Sequence, residues 1–365
     1  MEYGATTFRI GLNAGDEFFA DARHYTPFRG HPQEWEEFIA EFYQKHSIDM
    51  IFLFGDCRFY QATAIEVAKR YNVEVFVFEE GYIRPDFITL ETNGVNDNSS
   101  LPRERSFYDK LEYNEDMGCN HKNIRHIGSS YKDMALQAVV YYIVGNFFFF
   151  RYPHYKHHRT FSAFLEAFYG IRNFIRKYKY KLIEHSAIEL YKKELKKRYY
   201  FVALQTYEDF QILHHSDYES VEEFIEEVMN SFAKDAPSDR YLVIKHHPMD
   251  RGKKDYKPFI ANLAKKLGIQ KRVKVVYDLH LPTLLKNALG TITINSTVGI
   301  SSLYHKTPTL CMGRSFYDIE GLTSKGLTIS EFWTDYKGVD TVLFDKFRCY
   351  LILTTQVNGS FYKQI

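Results

Sequence analysis

With 365 residues, 45% of them hydrophobic and 25% charged, the chain has ordinary globular composition, which excludes the disordered and fibrous classes. It is too long for one typical core, so roughly two domains are expected. The formal net charge of +1 hides an uneven distribution, because Lys, Arg, His and Tyr crowd into the stretch from about Arg151 to Tyr200.

Four cysteines (Cys57, Cys119, Cys311 and Cys349) are scattered without CxxC spacing, which suggests neither a zinc site nor a disulfide framework and makes a reducing cytoplasm the default. The opening MEYGATTFRIGLNAGDEFF lacks a basic segment followed by an apolar one, so it does not read as a signal peptide. The most apolar later window, Ala135–Phe150, falls short of the ~20 residues a spanning helix needs. The expectation is a soluble or peripheral protein.

In chain order, Phe8–Leu12, Asp49–Phe54 and Val73–Phe78 read as short buried strands, separated by amphipathic stretches at Pro32–His46 and Tyr60–Tyr71. Strands alternating with helices argue for a parallel sheet. Gly15-Asp16 follows the first strand and Gly55-Asp56-Cys57-Arg58 the second, bringing carboxylates toward the sheet's carboxyl edge. The third strand runs into Glu79-Glu80-Gly81. Adjacent acids before a glycine fit either a solvated charged turn or reactive carboxylates at the edge where α/β enzymes bind ligands. Arg58, Arg84 and Arg103 suit an acidic substrate or structural ion pairs equally.

The segment Gln137–Lys197 has helical spacing in Phe161–Tyr178 and Lys181–Lys196. It fits a helical hairpin that packs aromatics into the first domain's core, or a basic and aromatic surface on anionic lipid.

The strand pattern restarts with Tyr200–Leu204, Tyr241–Ile244, Val273–Val276, Thr291–Ile294 and Thr309–Cys311, with helices at Ser220–Ala233, Tyr256–Leu267, Leu281–Ala288 and Val298–Tyr304. Two doubly wound α/β halves follow. The boundaries expected are 1–197, including the aromatic-basic insertion at about 137–197, then 198–330, then closing helices over 331–365.

The polar segment Gln205–Tyr218 follows the first strand of the second half, and its Gln205, Asp209 and Gln211 would face a cleft or serve as caps and turns. Lys245-His246-His247-Pro248 follows the next strand. A strand-end His with a neighbouring Lys can meet a phosphate, and adjacent histidines on extended backbone point apart, which disfavours a shared metal. Asn295-Ser296-Thr297-Val298-Gly299 opens a helix whose N–H groups and hydroxyls suit an anion, or form an ordinary cap. Pro308–Thr323 (PTLCMGRSFYDIEGLT) contributes Gly313, Phe316 and Tyr317, which fit a nucleoside or simple aromatic packing.

Together the segment GDCRFYQATAIEVAKRYNVEVFVFEEGYIRPDFITLE (residues 55–91), Gln205–Tyr218, KHHP, NSTVG, PTLCMGRSFYDIEGLT and TTQVNGSFY resemble the bacterial capsule-polysaccharide β-Kdo transferases, specifically those that put the first Kdo on a lipid acceptor. The resemblance implies a GT-B fold, with two Rossmann-like domains facing across a cleft and CMP-Kdo held mainly by the second. The acidic, His-Pro and Ser/Thr motifs shared by related sialic-acid transferases fall on Glu79-Glu80-Gly81, His247-Pro248 and Ser296-Thr297. Relatives that extend the linker usually carry Glu-Asp-Gly, so Glu80 stands here in the reactive place, with Glu79 as the alternative. The implied donor contacts are Lys245, His247, Pro248, Asn295, Ser296, Thr297, Gly299, Gly313, Phe316 and Tyr317. Gly15, Asp16, Asp56, Arg58, Gly81, Arg84, Gln205 and Asp209 would line the sugar and acceptor side.

No metal or other cofactor is expected, since cationic and helix-start groups can stabilise the departing CMP. The implied acceptor is a (lyso)phosphatidylglycerol. Peripheral association with the inner membrane and a capsule assembly complex is expected, with no nucleic-acid partner. Two other readings are open: a further nucleotide-sugar enzyme of the same fold, such as a CMP-sialic acid transferase or an epimerase, and a non-enzymatic lipid-binding capsule subunit.

Overall fold

The structure, a computed structural model, describes residues 4–20, 23–113, 119, 124–128, 131–156, 163–207, 212 and 215–363. Its strands in chain order are β1 (Arg9–Gly11), β2 (Tyr25–Pro27), β3 (Met50–Phe54), β4 (Glu74–Glu80), β5 (Phe87–Thr92), β6 (Tyr199–Ala203), β7 (Tyr241–Lys245), β8 (Val273–Val276), β9 (Gly290–Thr293), β10 (Thr309–Cys311) and β11 (Gln356–Asn358). The chain forms two compact units, the first built from Met1–Val95, Arg125–Phe168 and Val357–Ile365 and the second from Asn96–Ile124 and Tyr169–Gln356.

The first unit holds a sheet in the order β11-β5-β4-β3 and a separate pair, β1 with β2. β3 and β4 are parallel and linked by helix Phe59–Arg70, whereas β4 and β5 are antiparallel. The connection Gly81–Asp86 is too short for the crossover helix a parallel partner needs. Val75 and Val77 point from β4 onto Trp35, Ile39, Tyr43, Ala64 and Val67, which form the core under one face.

The second unit has a wholly parallel sheet in the order β10-β9-β6-β7-β8. Renumbered within the unit this is 5-4-1-2-3, the doubly wound order whose direction of growth reverses between β6 and β9. Every residue of β6 is buried, with Tyr200 and Val202 in one core and Tyr199, Phe201 and Ala203 in the other, as expected of a strand covered on both faces.

The α/β class and the doubly wound second half match the sequence reading. Four features differ. The first unit's main sheet is mixed rather than wholly parallel, and β1 stands outside it. Tyr169–Lys197 groups with the second unit, so the expected boundary at 197 falls earlier. After helices Ile329–Asp335 and Thr341–Thr355 the chain ends in strand β11 beside β5, where only helices were expected. Finally, Cys119 and Cys349 form a disulfide in the second unit, against the expectation of none. A sequence separation of 230 leaves no spacing motif, yet the fold brings the two Cα atoms to 5.1 Å.

Candidate functional site

The first cluster is built where β4 ends. Strand alternation sends Glu79 to the face of Val75 and Val77, and Glu80 to the face of Phe76 and Phe78. Both carboxylates are partly buried. The Glu80 backbone N–H donates to Glu79 Oε1 at 2.9 Å, which fixes that side chain. Burial pushes the Glu79 carboxyl above the usual range, opposed by the Glu80 N–H and the nearby Arg58 and Arg84 guanidiniums.

Gly81 is required at the bend, since a Cβ there would lie 2.0 Å from the Phe87 carbonyl oxygen. Arg84 folds back to donate through Nε to Gly81 O at 3.2 Å. Tyr362, brought in by the tail after β11, hydrogen-bonds the Glu80 side chain, and burial raises its phenol. Phe361 beside it packs on Phe54 and Phe78 at 5.3 and 5.8 Å between ring centres.

Three other expected residues of this unit serve the scaffold. Asp16 accepts from Leu12 N at 2.8 Å and from the Tyr141 hydroxyl at 3.2 Å, and a Cβ on Gly15 would strike the Tyr141 ring. Burial raises the Asp16 carboxyl. Asp56 is buried, accepting from Val95 N at 3.0 Å and from Cys57 Sγ at 3.1 Å, so it pins the chain leaving β5.

The second cluster sits at the carboxyl ends of β6, β9 and β7. Gln205 follows β6 and Asn295 follows β9, on the two sides of the switch point where doubly wound sheets take ligands. Gln205 Nε2 donates to Asn295 Oδ1 at 2.9 Å, and the Asn295 N–H donates to Gln205 Oε1 at 3.3 Å. Asn295 Nδ2 also donates to His215 O at 3.2 Å. Around it, Asp97 gathers Arg103 at 2.7 Å, Arg314 at 3.1 Å and His215 at 3.6 Å. Arg103 thus takes the ion-pair role left open by the sequence. Asp97, His215 and Arg314 escaped that reading, although Arg314 lies inside the PTLCMGRSFYDIEGLT segment.

After β7 the two histidines diverge as expected. His246 is buried, and its Nε2 accepts from Tyr256 N at 3.2 Å while burial lowers its pKa, so it is a neutral structural ring. His247 caps the short helix Pro248–Gly252, and its Nδ1 accepts from Met249 N at 3.2 Å. That bond places the proton of the neutral ring on Nε2. Lys245 donates to the Tyr277 carbonyl, and burial brings its pKa down to about 8. Its ammonium is therefore committed to the fold, contrary to the phosphate contact expected of it.

Helix Val298–Tyr304 begins as expected, yet its first amides are used internally: Val298 N donates to Ser296 Oγ at 3.3 Å, Gly299 N to Ser296 O at 2.9 Å and Ile300 N to Thr297 O at 3.1 Å. Thr297 makes no side-chain cap bond. Tyr317 is fully buried and donates to Ser296 O, while Gly299 is needed because a Cβ would lie 2.3 Å from the Tyr317 hydroxyl. Phe316 is buried against Phe347. Tyr317 supports the segment from behind and Phe316 packs in the core beside it, so neither ring presents a face for base stacking. Gly313 lets its loop pass Ile294 and Ser216. Asp209 and Gln211 lie outside the described residues.

Similarity to known proteins follows the whole chain. An Escherichia coli protein named capsule polysaccharide export protein KpsS is 41% identical over 98% of this chain and 91% of its own length. The capsule polysaccharide modification protein LipB of Neisseria meningitidis serogroup B is 35% identical over 99% of this chain and 87% of its own. Among solved structures, a KpsC β-Kdo 2,7-transferase from Thermosulfurimonas dismutans aligns over 91% of this chain and 84% of its own, at 17% identity and a TM-score of 0.42. Residues 49–362 match the family described as capsule polysaccharide biosynthesis protein. The chain belongs to that capsule polysaccharide biosynthesis family.

Proposed function

We propose that this chain is a glycosyltransferase that moves Kdo from CMP-Kdo to a (lyso)phosphatidylglycerol acceptor on the cytoplasmic side of the inner membrane, retaining the β-configuration and starting the linker of a capsular polysaccharide. The observation that carries the reading is the pair Glu79-Glu80 delivered by β4 to a glycine bend, in a chain of the capsule polysaccharide biosynthesis family. The two side chains leave the strand on opposite faces, so a single carboxylate meets a given reacting atom. Glu80, bonded to Tyr362, is the reacting group, and Glu79 is held by the neighbouring N–H.

In this mechanism the Glu80 carboxylate attacks the anomeric carbon as the bond to the CMP phosphate oxygen breaks, and a glycosyl-enzyme forms. The acceptor oxygen then displaces the Glu80 carboxylate while its proton passes to the phosphate of the departed CMP, so two inversions restore the configuration. His247, with its proton on Nε2, donates to the phosphate of departing CMP. The Gln205–Asn295 pair at the switch point holds the nucleotide, and the transfer needs no divalent metal.

The test is an assay of purified protein with CMP-Kdo and phosphatidylglycerol in the presence of EDTA. A β-linked product by NMR, and a Kdo adduct by mass spectrometry that is lost in Glu80→Gln, are the expected results. An α-linked product removes the nucleophile assignment, and release of altered free sugar without acceptor replaces the transferase by an epimerase.

A further inference from the structure

Helix Ala163–Glu184 is docked inside out. Tyr169, Asn173, Arg176, Tyr180 and Glu184 fall on one side, given 3.6 residues per turn, and this polar stripe faces the rest of the second unit, to which Tyr169–Glu184 belongs. Arg176 Nη1 donates to Arg251 O at 2.8 Å, the Tyr180 ring stacks on Tyr277 at 3.8 Å, and the Glu184 carboxylate accepts from Tyr277 N and Asp278 N at 2.8 Å each. Asn173 packs beside Gly252, which must lack a Cβ to admit the Tyr169 backbone.

The opposite side carries Ile171, Phe174, Ile175, Tyr178 and Leu182, between 53% and 79% exposed. Burying such a stripe is what ordinarily stabilises a surface helix, yet here it faces outward. Arg172 and Lys179 run along one border of the apolar side and Lys177 and Lys181 along the other, and no acidic residue occurs from Ala167 to Ile183. In the first unit, helix Tyr131–Phe147 repeats the pattern by itself. Gln137 and Tyr141 bond inward to Tyr362 O and Asp16, while Leu136, Val139, Ile143 and Phe147 are exposed on the other side.

We propose that Tyr169–Glu184 lies in the plane of an anionic membrane surface, its apolar side in the acyl boundary and its two basic borders against the headgroups. The charge pattern selects this occupant. Basic borders around an apolar centre match an anionic bilayer, whereas a second copy of the same helix would bring like charges together. The inference does not rest on the transfer chemistry, because binding is measured without any sugar donor.

The experiment is flotation of the full chain with phosphatidylglycerol vesicles and with phosphatidylcholine vesicles at 0.1 and 0.5 M salt. Binding to the anionic vesicles alone, weakened at high salt, is expected. Replacing Arg172, Lys179 and Lys181 by Gln should weaken it about a hundredfold, following the usual contribution of each cation. The combined Phe174→Ser, Ile175→Ser and Leu182→Ser variant should abolish it with an unchanged circular dichroism spectrum. As a second readout, a polarity-sensitive dye on Tyr178→Cys should shift to the blue on addition of anionic vesicles. No binding, equal salt-insensitive binding to both vesicles, or a dimer that the serine variant turns into monomer would each overturn the proposal, the last by assigning the face to a second copy.

Discussion

Gln205 and Asn295 hold each other across the switch point of the second sheet, with one side-chain bond of 2.9 Å and a return bond of 3.3 Å from the Asn295 backbone. Each residue therefore fixes the other at the point where the sheet's direction of growth reverses. Gln205→Ala removes both bonds from a buried position and is expected to cost about 1–3 kcal/mol of stability. Chemical denaturation of Gln205→Ala, Asn295→Ala and the double variant should reveal coupling between the two sites. Strict additivity would show that each acts through other neighbours.

Glu79 couples the stability of the first unit to pH. Burial raises the Glu79 pKa in the fold above the unfolded value, so its ionised form weakens the fold at neutral pH, and this penalty disappears as pH falls through the raised value. Glu79→Gln should therefore melt at higher temperature than the parent at pH 7, with the difference vanishing below the unfolded pKa of about 4.3. A lower melting temperature at pH 7 would mean that Arg58 and Arg84 outweigh the burial.

Lys245 gives the opposite titration. Its pKa falls to about 8 in the fold against an unfolded value near 10.4. The buried charge weakens the fold below the folded pKa, and stability from this group rises with pH between roughly 8 and 10. Lys245→Met should flatten that rise in a series of urea titrations. The transfer activity proposed above should survive the change, because the ammonium points to the Tyr277 carbonyl.

Two glycines should respond in opposite directions to the same substitution. Gly81→Ala places a methyl 2.0 Å from the Phe87 carbonyl oxygen and should cost about 1–3 kcal/mol with loss of activity. Gly170 lies within helix Ala163–Glu184 with nothing near its missing Cβ, so Gly170→Ala should stabilise by about 1 kcal/mol. Parallel thermal melts of the two variants check both signs.

The disulfide between Cys119 and Cys349 should leave Cys57 and Cys311 as the cysteines alkylated in unfolded, unreduced protein, as read by mass spectrometry. Cys349→Ser should lower stability by about 2–5 kcal/mol under oxidising conditions. Equal stability of the two proteins would show that the bond does not form in solution.

Much of the second unit was legible because its signal is local: short apolar runs such as YFVA and YLVI, followed by amphipathic helices, repeat through the whole doubly wound order. The acidic strand end at Glu79-Glu80 was legible for the same reason. Periodicity also located a helix over Phe161–Tyr178, which the structure carries on to Glu184 without the expected break, but it gives two faces without saying which one turns inward. The decisive bonds, Arg176 to Arg251 and Glu184 to Tyr277, join residues far apart in sequence. Tyr317 and Phe316 misled for the reverse reason, since an aromatic loop has the same composition whether it lines a crevice or fills the space behind one. Tyr362 could be recognised beside Glu80 only once β11 returned the tail to β5.

That returning strand also sets an order of assembly during synthesis. Residues 96–124 and 169–356 complete the second unit before the first has received its closing segment, residues 357–365. Until β11 emerges from the ribosome, the flank of β5 that it will cover presents open backbone N–H and C=O groups, a template for pairing with other nascent chains. The hazard therefore falls on the half that is made earlier, and it ends only when β11 is delivered.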